Sequence, residues 1–97
     1  MFAVILTYRV DFPQIDPHVG AHLEWLDRGY AAGHFVMSGR RQPRTGGVII
    51  ARQMDRSSLD RILDSDPFRQ HGLADYDIVE FVASKVHPDF AGLQESA

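Results

Sequence analysis

Two residues with side chains suited to catalysis, His22 and Asp66, stand where the surrounding pattern calls for apolar residues. Asp66 opens the segment Asp66-Pro67-Phe68, directly after an amphipathic segment, and His22 falls within an apolar stripe at helical spacing. The stripe consists of Val19, His22 or Leu23, Leu26 and Tyr30. A polar group that faces a core needs a hydrogen-bond partner, because burying it alone costs free energy. If the two helical segments lie side by side, an imidazole and a carboxylate meet in one cleft, and such a pair can transfer protons near neutral pH.

Each residue of this pair also has a purely structural interpretation. His22 could be a partly buried histidine that donates to a backbone carbonyl, or one at the edge of the stripe near Trp25. Asp66 precedes a proline, as Asp16 does, and Asp before Pro is typical of a helix N-cap. The two interpretations of Asp66 are compatible, because a capping carboxylate has a second oxygen that can orient an imidazole, as the acid does in a catalytic triad.

Several other residues are candidates for binding a substrate. Gly39 follows Ser38 in a predicted strand, where a missing side chain lets a ligand approach the backbone, although such a pair also marks a bulge. His71 could line the same cleft or simply end the turn that begins at Asp66. The candidate pocket walls are Trp25, Phe35 and Phe68, each of which is also a plausible core residue.

A metal site and an anion site are weaker alternatives. His18 and His22 are four residues apart, so they share one helix face, and Asp66 could supply a third ligand. The residues between the histidines lack the glutamate of the zinc-protease motif, and we predict neither a metal nor a cofactor. The loop cluster Arg40, Arg41 and Arg44 could bind an anionic substrate through guanidinium contacts, or it is a solvated hairpin tip.

Composition limits the class of protein. The chain of 97 residues predicts one domain, and its net charge of −3 argues against nucleic acid as a partner. The absence of cysteine excludes disulfides, a thiol nucleophile and a thiolate metal site. No apolar run reaches the length of a membrane span, so we expect no membrane partner and a cytoplasmic location.

The apolar pattern predicts the element order β-α-β-β-α-β, an α+β, ferredoxin-like arrangement. Asp16-Pro17 begins the first helix, Gly33 follows its end, and Asp55 or Ser57 caps the second helix. The predicted strands are 2–10, 34–40, 48–52 and 75–85, and the predicted helices are 17–32 and the segment with Leu59, Ile62 and Leu63 on its core face. We assign residues 1–86 to the domain and 87–97 to a loosely ordered C-terminal tail.

The sheet is predicted to have one face covered by both helices and one face free. Three of the four strands are apolar on both faces, and large exposed apolar surfaces usually mark interfaces. We therefore expect an antiparallel four-stranded sheet whose second face packs against the same face of another copy, giving a homodimer.

The chain resembles the YciI-like (YCII-related domain) family, small proteins of the dimeric α+β barrel type. The resemblance spans about residues 2–86 and depends on the strand Phe2–Tyr8, the segments His22–Leu26 and Thr45–Val48, Ser38-Gly39, and above all Asp66-Pro67-Phe68 followed by His71-Gly72-Leu73. It implies that His22 and Asp66 are an active-site pair, and it implies a small-molecule enzyme, since one relative's domain is associated with dechlorination of an aromatic compound. The residues at Arg40-Arg41 depart from the loop start associated with the family.

Pattern and resemblance together lead to one functional hypothesis and one rival. The hypothesis is an enzyme that uses His22 and Asp66 for general acid–base chemistry on a small molecule, with hydrolysis, dehalogenation, isomerisation and elimination all open. Trp25, Ser38, Gly39, Phe68 and His71 are the expected substrate-binding residues. The rival is a non-catalytic domain that binds a small ligand or a partner in the same cleft.

Overall fold

The computed structural model describes residues 1–96 and contains the predicted order of elements with short additional helices. The strands are β1 (Phe2–Tyr8), β2 (Phe35–Arg40), β3 (Gly46–Ala51) and β4 (Ala74–Glu80). The helices are α1 (Phe12–Ile15), α2 (Val19–Ala31), α3 (Arg56–Asp64) and α4 (Pro67–Gln70), with 3-10 turns at Asp16–His18 and Pro88–Leu93. None of the helices in this part of the chain combines the length and apolarity needed to cross a membrane.

The four strands form one antiparallel sheet in the order β2-β3-β1-β4, which confirms the predicted α+β fold. On the central strand, Val4 pairs with Ile49 of β3 and with Ile78 of β4. Alternate residues of β1 are buried beneath the helices, because successive side chains of a strand point to opposite faces. Phe2, Val4 and Leu6 thereby join one core with the buried faces of α2 and α3.

The buried face of α2 differs from the predicted stripe. Trp25, Leu26 and Gly29 are its buried residues, whereas Leu23 is 53% exposed and Tyr30 is 38% exposed. Gly29 contacts the ring of Phe35 so closely that a Cβ atom would overlap it. The helix is therefore rotated relative to the prediction, which places His22 at the border of the core.

The helical region also begins earlier than predicted. Helix α1 begins at Phe12 with Pro13 in its first turn, and the backbone of Asp16 is already helical, so the Asp16 side chain makes no capping hydrogen bond. The expectation that Asp16-Pro17 begins the first helix was therefore wrong, because Phe12-Pro13 starts helical structure one turn before it. The predicted end was correct: Gly33 follows α2 with φ of +79°, a conformation that favours glycine.

The last strand is shorter than predicted, since β4 ends at Glu80 instead of continuing to residue 85. The tail that follows, described to residue 96, includes a 3-10 turn and returns to the end of the sheet at which β1 begins. Glu95 accepts a hydrogen bond from the Ala83 N–H and forms an ion pair with the Met1 amine at 3.0 Å. This backbone hydrogen bond, and then the Met1 amine, lowers the pKa of Glu95 below its ordinary value. Glu95 thus attaches the tail to the first residue of the chain, a contact that the sequence pattern did not indicate.

The face of the sheet opposite the helices carries apolar side chains, as the sequence predicts, together with Asp75 and Asp77 of β4. Val79 of β4 is 56% exposed and Met37 of β2 is 51% exposed. Between them, Ile5 and Ile50 of the central strands occupy the same face and are half-buried. This open face, formed by Met37, Ile50, Ile5 and Val79, is the surface on which the expected homodimer depends.

Candidate active site

Asp66 is held in the interior by the start of a short helix. It is the N-cap of α4, its extended backbone is followed by Pro67 at the first helical position, and its Oδ1 accepts from the Phe68 N–H at 3.0 Å. This is the geometry expected of an Asp-Pro helix start. Unlike an ordinary surface cap, however, Asp66 is completely buried. Burial of a carboxylate demands further donors, and two side chains supply them.

The first of these donors is His22, whose Nδ1 lies 2.8 Å from Oδ1 of Asp66. The carboxylate acts as the acceptor, as it does towards the Phe68 N–H, so we assign the proton to Nδ1 of His22. In a neutral imidazole, the Nε2 atom then carries a lone pair that is free to accept a proton. The side chain of His22 is 13% exposed, which leaves its ring reachable from outside while its partner is sealed.

The second donor is Tyr76 of β4, whose hydroxyl donates to Oδ2 of Asp66 at 2.5 Å. Burial, together with the negative charge and hydrogen bond of Asp66, raises the pKa of Tyr76 far above its ordinary value. The phenol therefore stays protonated and keeps donating. Tyr76 is not among the residues predicted for the site. Its local signal is a hydroxyl-bearing residue at a core-facing position of β4, and its pairing with Asp66 depends on sheet register.

Aromatic rings fix the imidazole plane. The His22 ring lies parallel to the Phe68 ring, with an interplanar angle of 2° and 4.0 Å between centroids. Trp25 packs on the His22 ring with centroids 5.6 Å apart. The indole N–H of Trp25 donates to Ser65 Oγ at 2.9 Å. His22 is thus oriented by a carboxylate at Nδ1 and by rings on its faces.

His22 opens into a cavity of about 360 Å³ between the helices and the β2–β3 end of the sheet. This volume lies within the range typical of small-molecule sites, roughly 300–1,000 Å³. Its apolar walls are Leu6, Val19, Leu23, Leu26, Ile49 and Phe68, and its other lining residues are Tyr8, His22, Ser38, Gly39, Arg40, Arg44, Gly46, Gly47 and Val48. A more open groove of about 620 Å³ lies elsewhere, lined by residues such as His34, Arg52 and Met54, and His22 is not part of it.

The residues predicted to bind substrate divide into two groups. Ser38, Gly39 and Phe68 line the cavity together with His22. Trp25 and His71 do not line it: Trp25 lies beneath the imidazole, and His71 ends α4 with its ring 4.2 Å from that of His18. Ser38 Oγ is within 2.6 Å of the Tyr30 hydroxyl. Phe35, the third candidate wall, is a core residue and also lies outside the cavity.

The three arginines of the β2–β3 loop point in different directions. Arg40 and Arg44 line the cavity, whereas Arg41 donates to the Thr7 hydroxyl at 2.8 Å. The guanidinium of Arg44 lies 4.0 Å above the centroid of the Phe12 ring. Within residues 1–96, no group of three histidine, cysteine, aspartate or glutamate side chains is arranged to hold a metal ion.

The family model of the YCII-related domain matches residues 1–82. A solved structure, 5-chloro-2-hydroxyhydroquinone dehydrochlorinase from Burkholderia phenoliruptrix AC1100 in complex with 2,5-dihydroxybenzoquinone, superposes with a TM-score of 0.72. The two chains share 19% sequence identity over 82% of this chain and 91% of the other, so the likeness concerns the fold. No curated protein sequence matches the chain significantly.

Proposed function

The chain belongs to the YCII-related domain family, and we propose that its His22–Asp66 pair performs general acid–base catalysis on a small molecule. The observation that carries this proposal is the asymmetry of His22. Its Nδ1 is bound to a buried carboxylate at 2.8 Å, while the ring itself borders a cavity of about 360 Å³. A base needs such an arrangement, with one nitrogen oriented and the other available to substrate.

The pair accounts for a complete proton-transfer step. Nε2 of His22 takes a proton from a substrate C–H or O–H, or from a water, and the ring becomes an imidazolium. Asp66 stabilises that charge through Nδ1–H without taking up the proton itself. In an elimination, the electrons of the broken C–H bond form a new π bond and the leaving group departs with its own bonding pair. The imidazolium then returns its proton to product or solvent.

Two neighbours of the pair support this step. Tyr76 and the Phe68 N–H both donate to Asp66, which keeps its lone pairs occupied and its position fixed. Phe68 lies flat against the imidazole and limits its rotation. The apolar cavity wall suits an aromatic or carbonyl-bearing substrate, and the dehydrochlorinase of the same fold acts on a compound of that kind by its name.

Turnover of defined candidate substrates tests the proposal. We would measure chloride release from 5-chloro-2-hydroxyhydroquinone and from a panel of halogenated and carbonyl-bearing aromatics, using wild type, H22Q and H87Q. His87 is an exposed histidine of the tail and serves as the control. Wild type and H87Q should turn over at least one compound alike, with H22Q slower by about 10²–10⁴-fold. A substrate on which H22Q keeps the wild-type rate would refute the assignment.

A non-catalytic ligand-binding domain is the second candidate function. The observation in its favour is that Asp66 already has a structural use as the cap of α4, so its burial next to His22 does not by itself require proton transfer. In that case the cavity binds a ligand with His22 as a hydrogen-bonding group and no bond is broken. Binding without turnover across the panel would favour this function.

We further propose that the protein is a homodimer that packs through the open face of the sheet. The apolar residues Met37, Ile5, Ile50 and Val79 on that face support it, since an exposed apolar surface of this kind usually marks an interface. A monodisperse monomer in solution scattering at micromolar concentration would exclude it.

A further inference from the structure

We infer that the cavity selects an anionic small molecule, with an apolar body facing His22 and its negative group held by Arg40 and Arg44. This inference rests on the proposed function for the identity of the site and adds the class of ligand. It starts from the ionisable groups of the cavity lining, which are Tyr8, His22, Arg40 and Arg44. The lining contains no carboxylate, although acidic residues outnumber basic ones in the chain.

Neither arginine of the lining is neutralised by the protein. The ion pairs of residues 1–96 engage Arg9, Arg56 and Arg69, but not Arg40 or Arg44. The one carboxylate close to His22, that of Asp66, is completely buried and does not line the cavity. Two unpaired guanidinium groups at the edge of an apolar cleft create a positive field that attracts anions.

The strand register directs Arg40 towards the cavity. Arg40 pairs with Gly47, and Gly47 pairs with Leu6, so these residues share the helix-covered face of the sheet. Arg41, the next residue, follows the alternation to the opposite side and bonds to Thr7. Arg41 therefore has a structural role, whereas Arg40 is available to a ligand.

An aromatic ring, and not an acidic side chain, positions the guanidinium of Arg44. Its guanidinium lies 4.0 Å above the Phe12 ring centroid, a cation–π contact that fixes the group while leaving its N–H donors free. A planar fork of donors matches the two oxygens of a carboxylate, and such charge-assisted hydrogen bonds are stronger than neutral ones.

Gly47 leaves room for the body of this ligand between the arginines and His22. A Cβ atom at position 47 would meet only the carbonyl oxygen of Gly39, at 3.1 Å, and no other atom within 4 Å. The surface around Gly47 is apolar, with Leu6, Leu26 and Ile49 in the cavity wall. An aromatic ring can therefore lie against Gly47 and these apolar residues, which form the cavity floor. Its anionic group is then at the β2–β3 loop and its reacting atom at the imidazole of His22.

Benzoate and benzamide test the inference, because they have nearly the same shape and differ in charge. We would titrate each into isotopically labelled protein at neutral pH and low salt, following the backbone amide of Gly47 by NMR. The variants are wild type, the double variant R40Q/R44Q, and R28Q, which removes one positive charge on the exposed side of α2. Salt should weaken only the benzoate contact.

We expect wild type to bind benzoate at least ten-fold more tightly than benzamide. The double variant should lose at least ten-fold in benzoate affinity and keep its benzamide affinity, and R28Q should match wild type for both. Equal affinity of wild type for the two probes, no benzoate binding, or an unchanged benzoate affinity in R40Q/R44Q would each overturn the inference. The wild-type comparison decides by itself if the double variant does not fold.

These outcomes are separable from failure of the proposed function. A cavity that prefers benzoate in a protein whose turnover is unaffected by H22Q supports the anion site and rejects catalysis by His22. A protein whose turnover depends on His22, but which binds the two probes equally, supports catalysis and rejects the anion site.

Discussion

The hydroxyl of Tyr76 donates to Oδ2 of Asp66 at 2.5 Å, on the carboxylate oxygen that His22 leaves free. A strand and a helix therefore hold the same buried carboxylate from two sides, with the Phe68 N–H as a third donor. The consequence is that the orientation of His22 depends on β4 as well as on α2 and α4. Tyr76 is a positioning residue in this arrangement, since it acts on the imidazole only through Asp66.

Replacing Tyr76 with phenylalanine should destabilise the protein and alter its alkaline titration. Removing the hydroxyl leaves Oδ2 of a buried carboxylate without a donor, at a cost of about 1–3 kcal/mol in the free energy of unfolding. Because folding raises the pKa of Tyr76, the contribution of this residue to stability is constant below the ordinary tyrosine pKa of about 10 and declines as the pH rises above it.

Phenolate absorbance measured with rising pH checks this prediction. In wild type, one of the three tyrosines should not ionise until the protein unfolds, and in Y76F the unfolding step should no longer release a buried phenol. Y30F is the control, because Tyr30 lies at an exposed position and bonds to Ser38. Ionisation of all three tyrosines in folded wild type near pH 10 would contradict the assigned contact.

Asp66 variants should separate its capping contribution from its contribution to His22. Asparagine at position 66 can still accept from the Phe68 N–H, whereas alanine cannot, so D66A should be less stable than D66N by roughly 1 kcal/mol. Both variants should lose turnover, because neither provides a negative charge beside Nδ1 of His22. Chemical denaturation and rate measurements check the two effects, with D27N, at an exposed position of α2, as the control. Full activity in D66N would show that the carboxylate charge is dispensable.

Filling the cavity floor should weaken ligand binding irrespective of charge. A Cβ atom at position 47 would have only the Gly39 carbonyl oxygen within 4 Å. The branched side chain of Gly47→Val would therefore project into the cavity beside Leu6, with which position 47 pairs. We expect benzoate and benzamide affinities to fall together by at least ten-fold, with G47A intermediate. NMR titration of the same two probes checks this. If G47V binds both probes as wild type does, the ligand does not occupy this floor.

Introducing a charge on the open face should dissociate the proposed homodimer. Val79→Glu adds a carboxylate that would be buried at the interface, and burial of an unpaired charge is costly. Sedimentation analysis over a concentration series should show a dissociation constant at least ten-fold higher than that of wild type. A21E adds the same charge to the exposed side of α2 and should leave assembly unchanged. Equal association of V79E and wild type would exclude this face as the interface.

The sequence predicts the order of the elements well because periodicity is a local property. Nearly continuous apolar runs locate β1 and β3, and the spacing of Leu59 and Leu63 identifies the buried face of α3. The ends of the elements are predicted less well, because they depend on pairing with other segments and not on the local pattern. The sequence after Glu80 stays apolar and resembles a continued strand, but β1, the strand beside β4, begins only at Phe2, and pairing stops at the Phe2–Glu80 pair.

The site is only partly predictable, because its contacts join distant segments. The meeting of His22 and Asp66 follows from two polar residues in apolar surroundings, and the cap of α4 follows from Asp-Pro. The donation by Tyr76 depends on sheet register, which no local pattern reveals. The different directions of Arg40 and Arg41 likewise depend on which face of β2 the helices cover. The indole N–H of Trp25 is bonded to Ser65 Oγ at the end of α3, a contact that no local pattern reveals.

The most direct test of the central claim is a nitrogen NMR spectrum of histidine-labelled protein, which reports the protonation of each ring nitrogen of His22. The H22Q variant identifies the signal. We predict that neutral His22 carries its proton on Nδ1, with an unprotonated Nε2 whose signal shifts when benzoate enters the cavity. A proton on Nε2 in the neutral ring, or an Nε2 signal that benzoate leaves unchanged while other cavity residues respond, would contradict the account of His22 as the base.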